Sequence, residues 1–63
     1  MRWRFDEDTV ENLADGTLHR AGCAELDADQ PLDHHPAGSS QRRDSAPREC
    51  WACRPDVRIV MSA

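Results

Sequence analysis

Residues 19–23 read His-Arg-Ala-Gly-Cys, and residues 50–53 read Cys-Trp-Ala-Cys. These two stretches contain all three cysteines of the 63-residue chain and one of its three histidines. The first has three residues between its outer members and the second has two. Paired thiolates and imidazoles at this spacing are typical of a tetrahedral zinc site. The sequence therefore predicts one structural zinc ion bound by His19, Cys23, Cys50 and Cys53.

The chain is short, and this makes a cross-link necessary. We expect a single domain over residues 1–63, and a chain of this size buries only about 60% of the surface that its unfolded form exposes. Small scaffolds of this kind usually need a disulfide, a metal or a partner chain. Because three cysteines are an odd number, a disulfide framework would leave one thiol over. A metal is therefore the favoured cross-link.

The cellular address is expected to be the cytoplasm. No apolar core of a secretory signal follows Arg2 and Arg4. No stretch approaches the roughly 20 apolar residues of a membrane span, so no membrane partner is expected. In the cytoplasm thiols stay reduced and available to a metal.

Other interpretations of the same residues stay open. Cys50 and Cys53 alone could be a redox dithiol, although that chemistry usually needs a βαβ scaffold that this chain cannot build. The cysteines could instead be unpaired in a largely disordered chain. His34 or His35 could replace His19 as the fourth ligand. Those two histidines lie on a proline-flanked stretch without paired spacing to a cysteine, so a solvated turn is the simpler interpretation.

Two arginines and one tryptophan lie next to the predicted ligands in the sequence. Arg20 and Arg54 each follow a ligand directly, and their guanidinium groups could donate hydrogen bonds to thiolate sulfurs or project into water. Trp51 lies between two ligands. We expect it to be buried against Trp3 or Ile59. The alternative is an exposed anchor for a partner, since tryptophan is enriched at binding hot spots.

Short strands are the main secondary structure expected. Residues 1–5 alternate apolar and charged side chains, which is the period of a half-buried strand. Residues 10–14 fit a helical stripe or a strand, and the Asp-Gly pair at residues 15–16 favours a hairpin. Residues 17–19 and 57–61 are two further strand candidates.

Residues 27–48 are rich in turn and linker residues, and Leu32 is their only large apolar side chain. We expect a flexible loop without regular structure, closed at both ends by the metal. A single helical turn is expected at residues 24–26. The predicted fold class is therefore a small zinc-stabilised domain, mainly β, with short antiparallel strands and at most a short helix.

The charge distribution disfavours nucleic acid as a partner. The net charge is −4, and residues 1–30 carry eight carboxylates against three arginines. A zinc ion with three thiolates would make the total slightly more negative. Because phosphate neutralisation dominates nucleic-acid affinity, a protein partner fits better. A nucleic-acid-binding zinc module stays as an alternative, and it would use the C-terminal arginines Arg42, Arg43, Arg48, Arg54 and Arg58.

The combined spacing resembles the N-terminal metal-binding domain of the Ada DNA-repair methyltransferases. That family has four zinc-ligating cysteines, arranged as Cys-x3-Cys, a long gap, and Cys-x2-Cys followed by Arg-Pro. Here the pattern falls on residues 19–23 and on residues 50–53 with Arg54-Pro55 after them, and Arg20 also matches. The resemblance covers roughly residues 17–56. It implies an Ada-like zinc-binding α+β fold with the same ligand positions.

One departure separates this chain from that family's reaction. The family's first cysteine accepts a methyl group from a DNA phosphotriester, and His19 occupies that position here. A zinc-bound imidazole lacks a free lone pair of comparable nucleophilicity, and no spare nucleophile is marked by a neighbouring base. We therefore expect a structural zinc-binding, non-catalytic interaction module of unknown partner, not an enzyme. A thiol-reactive or methyl-accepting zinc-thiolate protein is a further alternative.

Overall fold

The computed structural model describes residues 1–60, which form two small sheets. The seven strands are β1 Arg2–Phe5, β2 Thr9–Asn12, β3 Thr17–Arg20, β4 Leu32–His35, β5 Ser40–Arg42, β6 Arg48–Glu49 and β7 Val57–Val60. Sheet 1 has the strand order β5-β1-β7, and sheet 2 has the order β4-β2-β3-β6. The prediction of a small, mainly β domain is confirmed.

β1 is the central strand of sheet 1. It pairs antiparallel with β5 on one side and with β7 on the other. Trp3 and Phe5 are buried, whereas Arg2 and Arg4 are exposed. Because neighbouring side chains on a strand point to opposite faces, the alternation in the sequence identifies the face that meets the core. The strand predicted at residues 1–5 is confirmed.

A hairpin joins β2 and β3 in sheet 2. The N–H of Gly16 donates to the carbonyl of Asn12 at 2.7 Å. Gly16 has a φ of +75°, a left-handed conformation that favours glycine. The Asp15 carboxylate accepts the N–H of Thr17 at 2.9 Å and so fixes the start of β3. The hairpin interpretation is confirmed, and the helical one is wrong.

The expectation that residues 27–48 lack regular structure is wrong. Within this segment, β4 pairs with β2 and β5 pairs with β1, both antiparallel, and β6 begins at Arg48. The first three residues of β4 are exposed, and only its last residue, His35, is buried. The sequence of β4 therefore shows no alternation of apolar and polar side chains. These strands form because their main-chain groups pair with strands that are distant in the chain.

Helix is absent from residues 1–60. The helical turn predicted at residues 24–26 is a simple turn, in which the N–H of Leu26 donates to the carbonyl of Cys23 at 3.1 Å. The strand predicted at residues 57–61 is β7, and Met61 lies outside the described residues. Nothing in the described part of the chain forms the long apolar helix that crossing a bilayer would require.

The core is small and partly polar. Its buried apolar members among residues 1–59 are Trp3, Phe5, Leu18 and Cys50, together with Pro55. The buried polar members are Thr9, Glu11, Asn12, His19 and His35. The Phe5 ring stacks on the His35 imidazole with centroids 4.4 Å apart, which joins sheet 1 to sheet 2. So few apolar side chains give limited hydrophobic stabilisation.

Candidate metal centre

The four predicted ligands come together beside β3 and β6. One donor atom from each lies within 4.8 Å of the others. The sulfurs of Cys23 and Cys50 are 4.0 Å apart, close to the roughly 3.8 Å expected between two sulfurs of a tetrahedral zinc site. That separation is about twice a disulfide bond length, and all three cysteines are free. We call His19, Cys23, Cys50 and Cys53 the His/Cys3 cluster, a group that can hold a metal ion.

The parallel pairing of β3 with β6 joins the two half-sites. Leu18 is in register with Glu49. The N–H of Cys50 then donates to the carbonyl of Leu18 at 2.8 Å, which extends the pairing one residue beyond β6. Cys50 is therefore fixed next to His19, and both residues are buried. A contact between strands far apart in the sequence thus builds the cluster.

A glycine turn after β3 carries Cys23 back towards His19. The N–H of Cys23 donates to the carbonyl of Arg20 at 3.0 Å. Gly22 has a φ of +83°, where a Cβ atom is costly. The N–H of Ala21 donates to the carbonyl of Asp8 at 3.1 Å and ties the turn to the connection between β1 and β2. This turn brings Cys23 back beside His19 across the three residues that separate them.

The second pair is formed by a turn that ends at Arg54. Its N–H donates to the carbonyl of Cys50 at 2.9 Å. Arg54 has a φ of 45°, which is uncommon for a residue with a Cβ atom. Such conformations persist where the surrounding structure fixes them. The bend turns the chain towards Pro55, which is buried.

Arg20 links the two half-sites in a way that sequence analysis predicted only in part. Its main-chain N–H donates to the sulfur of Cys53 at 3.2 Å. Its guanidinium group donates to the carbonyls of Cys53 and Arg54, and it pairs with the Glu7 carboxylate. The other Glu7 oxygen accepts the N–H of Asp56 at 2.8 Å. The side chain therefore supports the main chain around Cys53, while the main chain of Arg20 contacts the sulfur.

His19 contributes an unsatisfied buried nitrogen. The residue is 5% exposed, and its Nδ1 has no hydrogen-bond partner among residues 1–60. A buried polar atom without a partner costs about 1–3 kcal/mol. Coordination of a metal ion through this nitrogen would remove the cost, so the donor set fits an ion. His34 and His35 lie on β4, and neither belongs to the His/Cys3 cluster.

The thiols of the second pair differ in acidity. Burial raises the pKa of Cys50, but the main-chain N–H groups of Cys53 and Ala52 outweigh it, so this pKa lies below the usual thiol value. Burial and, to a lesser extent, the adjacent thiols raise the pKa of Cys53 to about 11, against the lowering effect of the Arg20 N–H. Thiols held this close resist losing all their protons unless a cation balances the charge. A metal ion would supply that charge.

A second polar group, which sequence analysis missed, lies between the sheets. The imidazole Nε2 of His35 is 3.0 Å from a Glu11 carboxylate oxygen and 3.8 Å from Asp33. Arg43, just after β5, pairs with the same Glu11 oxygen. Because Arg43 already balances Glu11, this group forms an ion-pair network. Ligand atoms of Glu11, Asp33 and His35 also lie within 4.8 Å of one another, close enough to hold a metal ion. Glu11, His35 and Arg43 come from parts of the chain that are distant in sequence, so no local spacing reveals the group.

The expectation that Trp51 is buried is wrong. Its side chain is 79% exposed, whereas Trp3 lies in the core. Trp51 borders an open groove of about 300 Å³ beside the His/Cys3 cluster. The groove is lined by Asp15, Thr17, His19, Glu25, Arg48, Glu49, Cys50 and Trp51.

Comparisons with protein-family models, with curated proteins and with solved structures each found no match. The resemblance to the Ada metal-binding domain therefore stays a prediction, which rests on the ligand spacing and on Arg54-Pro55. The structure itself establishes a small β domain with a His/Cys3 cluster that can hold a metal ion.

Proposed function

We propose that this chain is a non-catalytic interaction module whose fold depends on one structural zinc ion. The observation that carries the proposal is the convergence of four donor atoms within 4.8 Å, contributed by His19, Cys23, Cys50 and Cys53. Three thiolates and one imidazole are a donor set of structural zinc sites, because zinc is tetrahedral and accepts both sulfur and nitrogen.

The weakness of the apolar core supports a structural role for the ion. Its large buried apolar side chains among residues 1–59 are Trp3, Phe5 and Leu18, and the thiol of Cys50 is buried beside the cluster. The pairing of β3 with β6 spans only two registered residue pairs. A metal bound across this short pairing would cross-link strands that otherwise have little to hold them together. Metal binding and folding would then be a single coupled equilibrium.

The complete ligand set supports a role without catalysis. Four protein ligands leave no open position at which zinc could activate water or bind a substrate. Among the serines of the 27–48 segment, the Ser39 hydroxyl donates to the carbonyl of Pro36 at 2.6 Å, so it is engaged in a turn. In the Ada-like pattern, position 19 would hold the thiol that accepts a methyl group. Here that position holds an imidazole, which would bind the metal and would not accept a methyl group.

A protein partner is better supported than a nucleic acid. The chain carries a net charge of −4, and two of the five C-terminal arginines already pair with carboxylates. Arg43 pairs with Glu11, and Arg58 pairs with Asp6 at 2.7 Å. Fewer cations are therefore available for phosphate groups than the sequence alone would suggest.

Native mass spectrometry with and without a strong chelator tests the proposal. We expect one zinc ion per chain, and loss of the β-sheet circular dichroism signal when the ion is removed. A chain that stays folded without metal, or that binds none, would contradict the structural role. Alkylation of the zinc-loaded protein adds a second test, because bound thiolates of a structural site should be protected from iodoacetamide.

A further inference from the structure

We propose that the groove beside the His/Cys3 cluster binds a basic segment of a protein partner, with an arginine or lysine side chain seated against Trp51. This inference rests on the proposed function, because the zinc ion would fix the main chain that carries the groove. It adds the chemistry of the partner, namely a cationic side chain presented by an accessible stretch of polypeptide.

The position of Trp51 indicates a contact surface. It lies between Cys50 and Cys53, so its main chain is fixed by the same turn that forms the second half-site. Its side chain is nevertheless 79% exposed. A large aromatic ring has few rotatable bonds and so loses little conformational freedom on binding, and tryptophan is enriched at binding hot spots.

The charges lining the groove favour a cation. Asp15, Glu25 and Glu49 contribute three carboxylates, and Arg48 contributes the only guanidinium group among the lining residues. Within residues 1–60 none of these carboxylates has an ion-pair partner within 4 Å. They can therefore pair with an incoming cation without breaking an existing ion pair. Three thiolates on a zinc ion would add one further negative charge beside them.

Trp51 and the carboxylates together select one class of ligand. An indole face attracts a guanidinium or ammonium group through its quadrupole, and carboxylates accept hydrogen bonds from the same group. An arginine stacked on Trp51 could contact a carboxylate of the groove at the same time. An anionic ligand such as a nucleic acid would instead be repelled by the three carboxylates, and it would gain only the stacking on Trp51.

A titration of the zinc-loaded, ¹⁵N-labelled chain tests the inference. The probe is a short capped peptide of alternating glycine and arginine, and the control is the same peptide with citrulline in place of arginine. The chain has two tryptophans, whose indole N–H signals are assigned with a Trp51→Phe variant. We expect saturable shifts of the Trp51 indole with little change at the buried Trp3. The citrulline peptide should have no effect.

Surface variants provide a directional test. We expect about two- to fivefold weaker binding of the arginine peptide for Trp51→Ala, and a similar loss for each of Glu25→Gln and Glu49→Gln. Arg48→Gln should bind about two- to fivefold more tightly, because it removes the one competing cation of the groove. Binding that is unchanged in all four variants would overturn the proposal.

Two further outcomes would also overturn it. These are equal binding of the citrulline peptide, and binding of a short oligothymidylate in preference to the arginine peptide. Zinc loading is measured on the same samples by native mass spectrometry. A chain that loads zinc and ignores the arginine peptide would refute this inference alone, whereas a chain that takes up no zinc would refute the proposed function.

Discussion

The main-chain N–H of Arg20 donates a hydrogen bond of 3.2 Å to the sulfur of Cys53, although 33 positions separate the two residues in the chain. The same residue reaches the carbonyls of Cys53 and Arg54 through its guanidinium group. One arginine on β3 therefore organises both the sulfur and the main chain of the second half-site. The two functions are separable by mutation, since the main-chain bond survives a change of side chain.

Arg20→Lys should accelerate metal loss. Lysine keeps the charge but cannot reproduce the planar fork of donors that reaches two carbonyls and Glu7. Because such supporting contacts are worth roughly 10- to 100-fold in metal affinity, we expect about a tenfold faster zinc release to a chromogenic chelator. Arg58→Lys is the matched control, since Arg58 is 73% exposed and pairs only with Asp6 among residues 1–60. Equal release rates for the two variants would count against a supporting role.

His19→Ala and His19→Cys should differ sharply. Alanine removes a ligand, so zinc affinity should fall by more than the roughly 10- to 100-fold that loss of a mere supporting contact costs. Cysteine restores a fourth donor and should retain the ion, because zinc accepts four thiolates. Competition with a chelator of known affinity measures both. Unchanged affinity in His19→Ala would show that His19 is not a ligand.

The same His19→Cys variant tests the resemblance to the Ada metal-binding domain. If the likeness extends to function, the new thiolate should take the methyl group from a methyl phosphotriester in DNA. The carbon–oxygen bond to the phosphate would break, a carbon–sulfur bond would form, and an ordinary phosphodiester would remain. Mass spectrometry would detect the mass gain expected for one methyl group replacing a proton. A variant that binds zinc and gains no methyl group would show that the likeness stops at the metal.

Gly22→Ala should weaken the first half-site through backbone strain. Gly22 has a φ of +83°, and a Cβ atom added there would have no neighbouring atom within 4 Å, so the cost is conformational and not steric. We expect about 1–2 kcal/mol, which corresponds to a roughly 5- to 30-fold loss of apparent zinc affinity if folding and binding are coupled. Gly22→Asn should lose less, because asparagine tolerates this conformation. Equal losses for the two variants would rule out this explanation.

Glu11→Ala should destabilise the fold without touching the His/Cys3 cluster. Glu11 is 8% exposed, and its removal would leave Arg43 and His35 without their shared carboxylate. Removing one partner of a buried pair costs about 3–5 kcal/mol, so urea unfolding of the zinc-loaded chain should occur at clearly lower denaturant concentration. Glu25→Ala, an exposed carboxylate, should change stability by about 0.5 kcal/mol or less. Similar midpoints for both variants would contradict the network's role.

Local patterns predicted part of this fold. The alternation at residues 1–5 identified β1, and the Asp15-Gly16 turn identified the hairpin of β2 and β3, because both signals lie within a few adjacent residues. β4 and β5 escaped prediction because their side chains are mostly polar. Their strand conformation depends on main-chain pairing with β2 and β1, which no short window of sequence contains.

The sequence by itself determined the three cysteines of the candidate metal site and the histidines that could complete it, since ligand type and spacing within each pair are local chemistry. Only the tertiary structure decided that His19, and neither His34 nor His35, joins the cysteines, because the parallel contact of β3 with β6 places Cys50 beside it. Tertiary structure also left Trp51 exposed and brought Glu11, His35 and Arg43 together. Burial and long-range pairing depend on the packing of the whole chain, so they could not be read from any one segment.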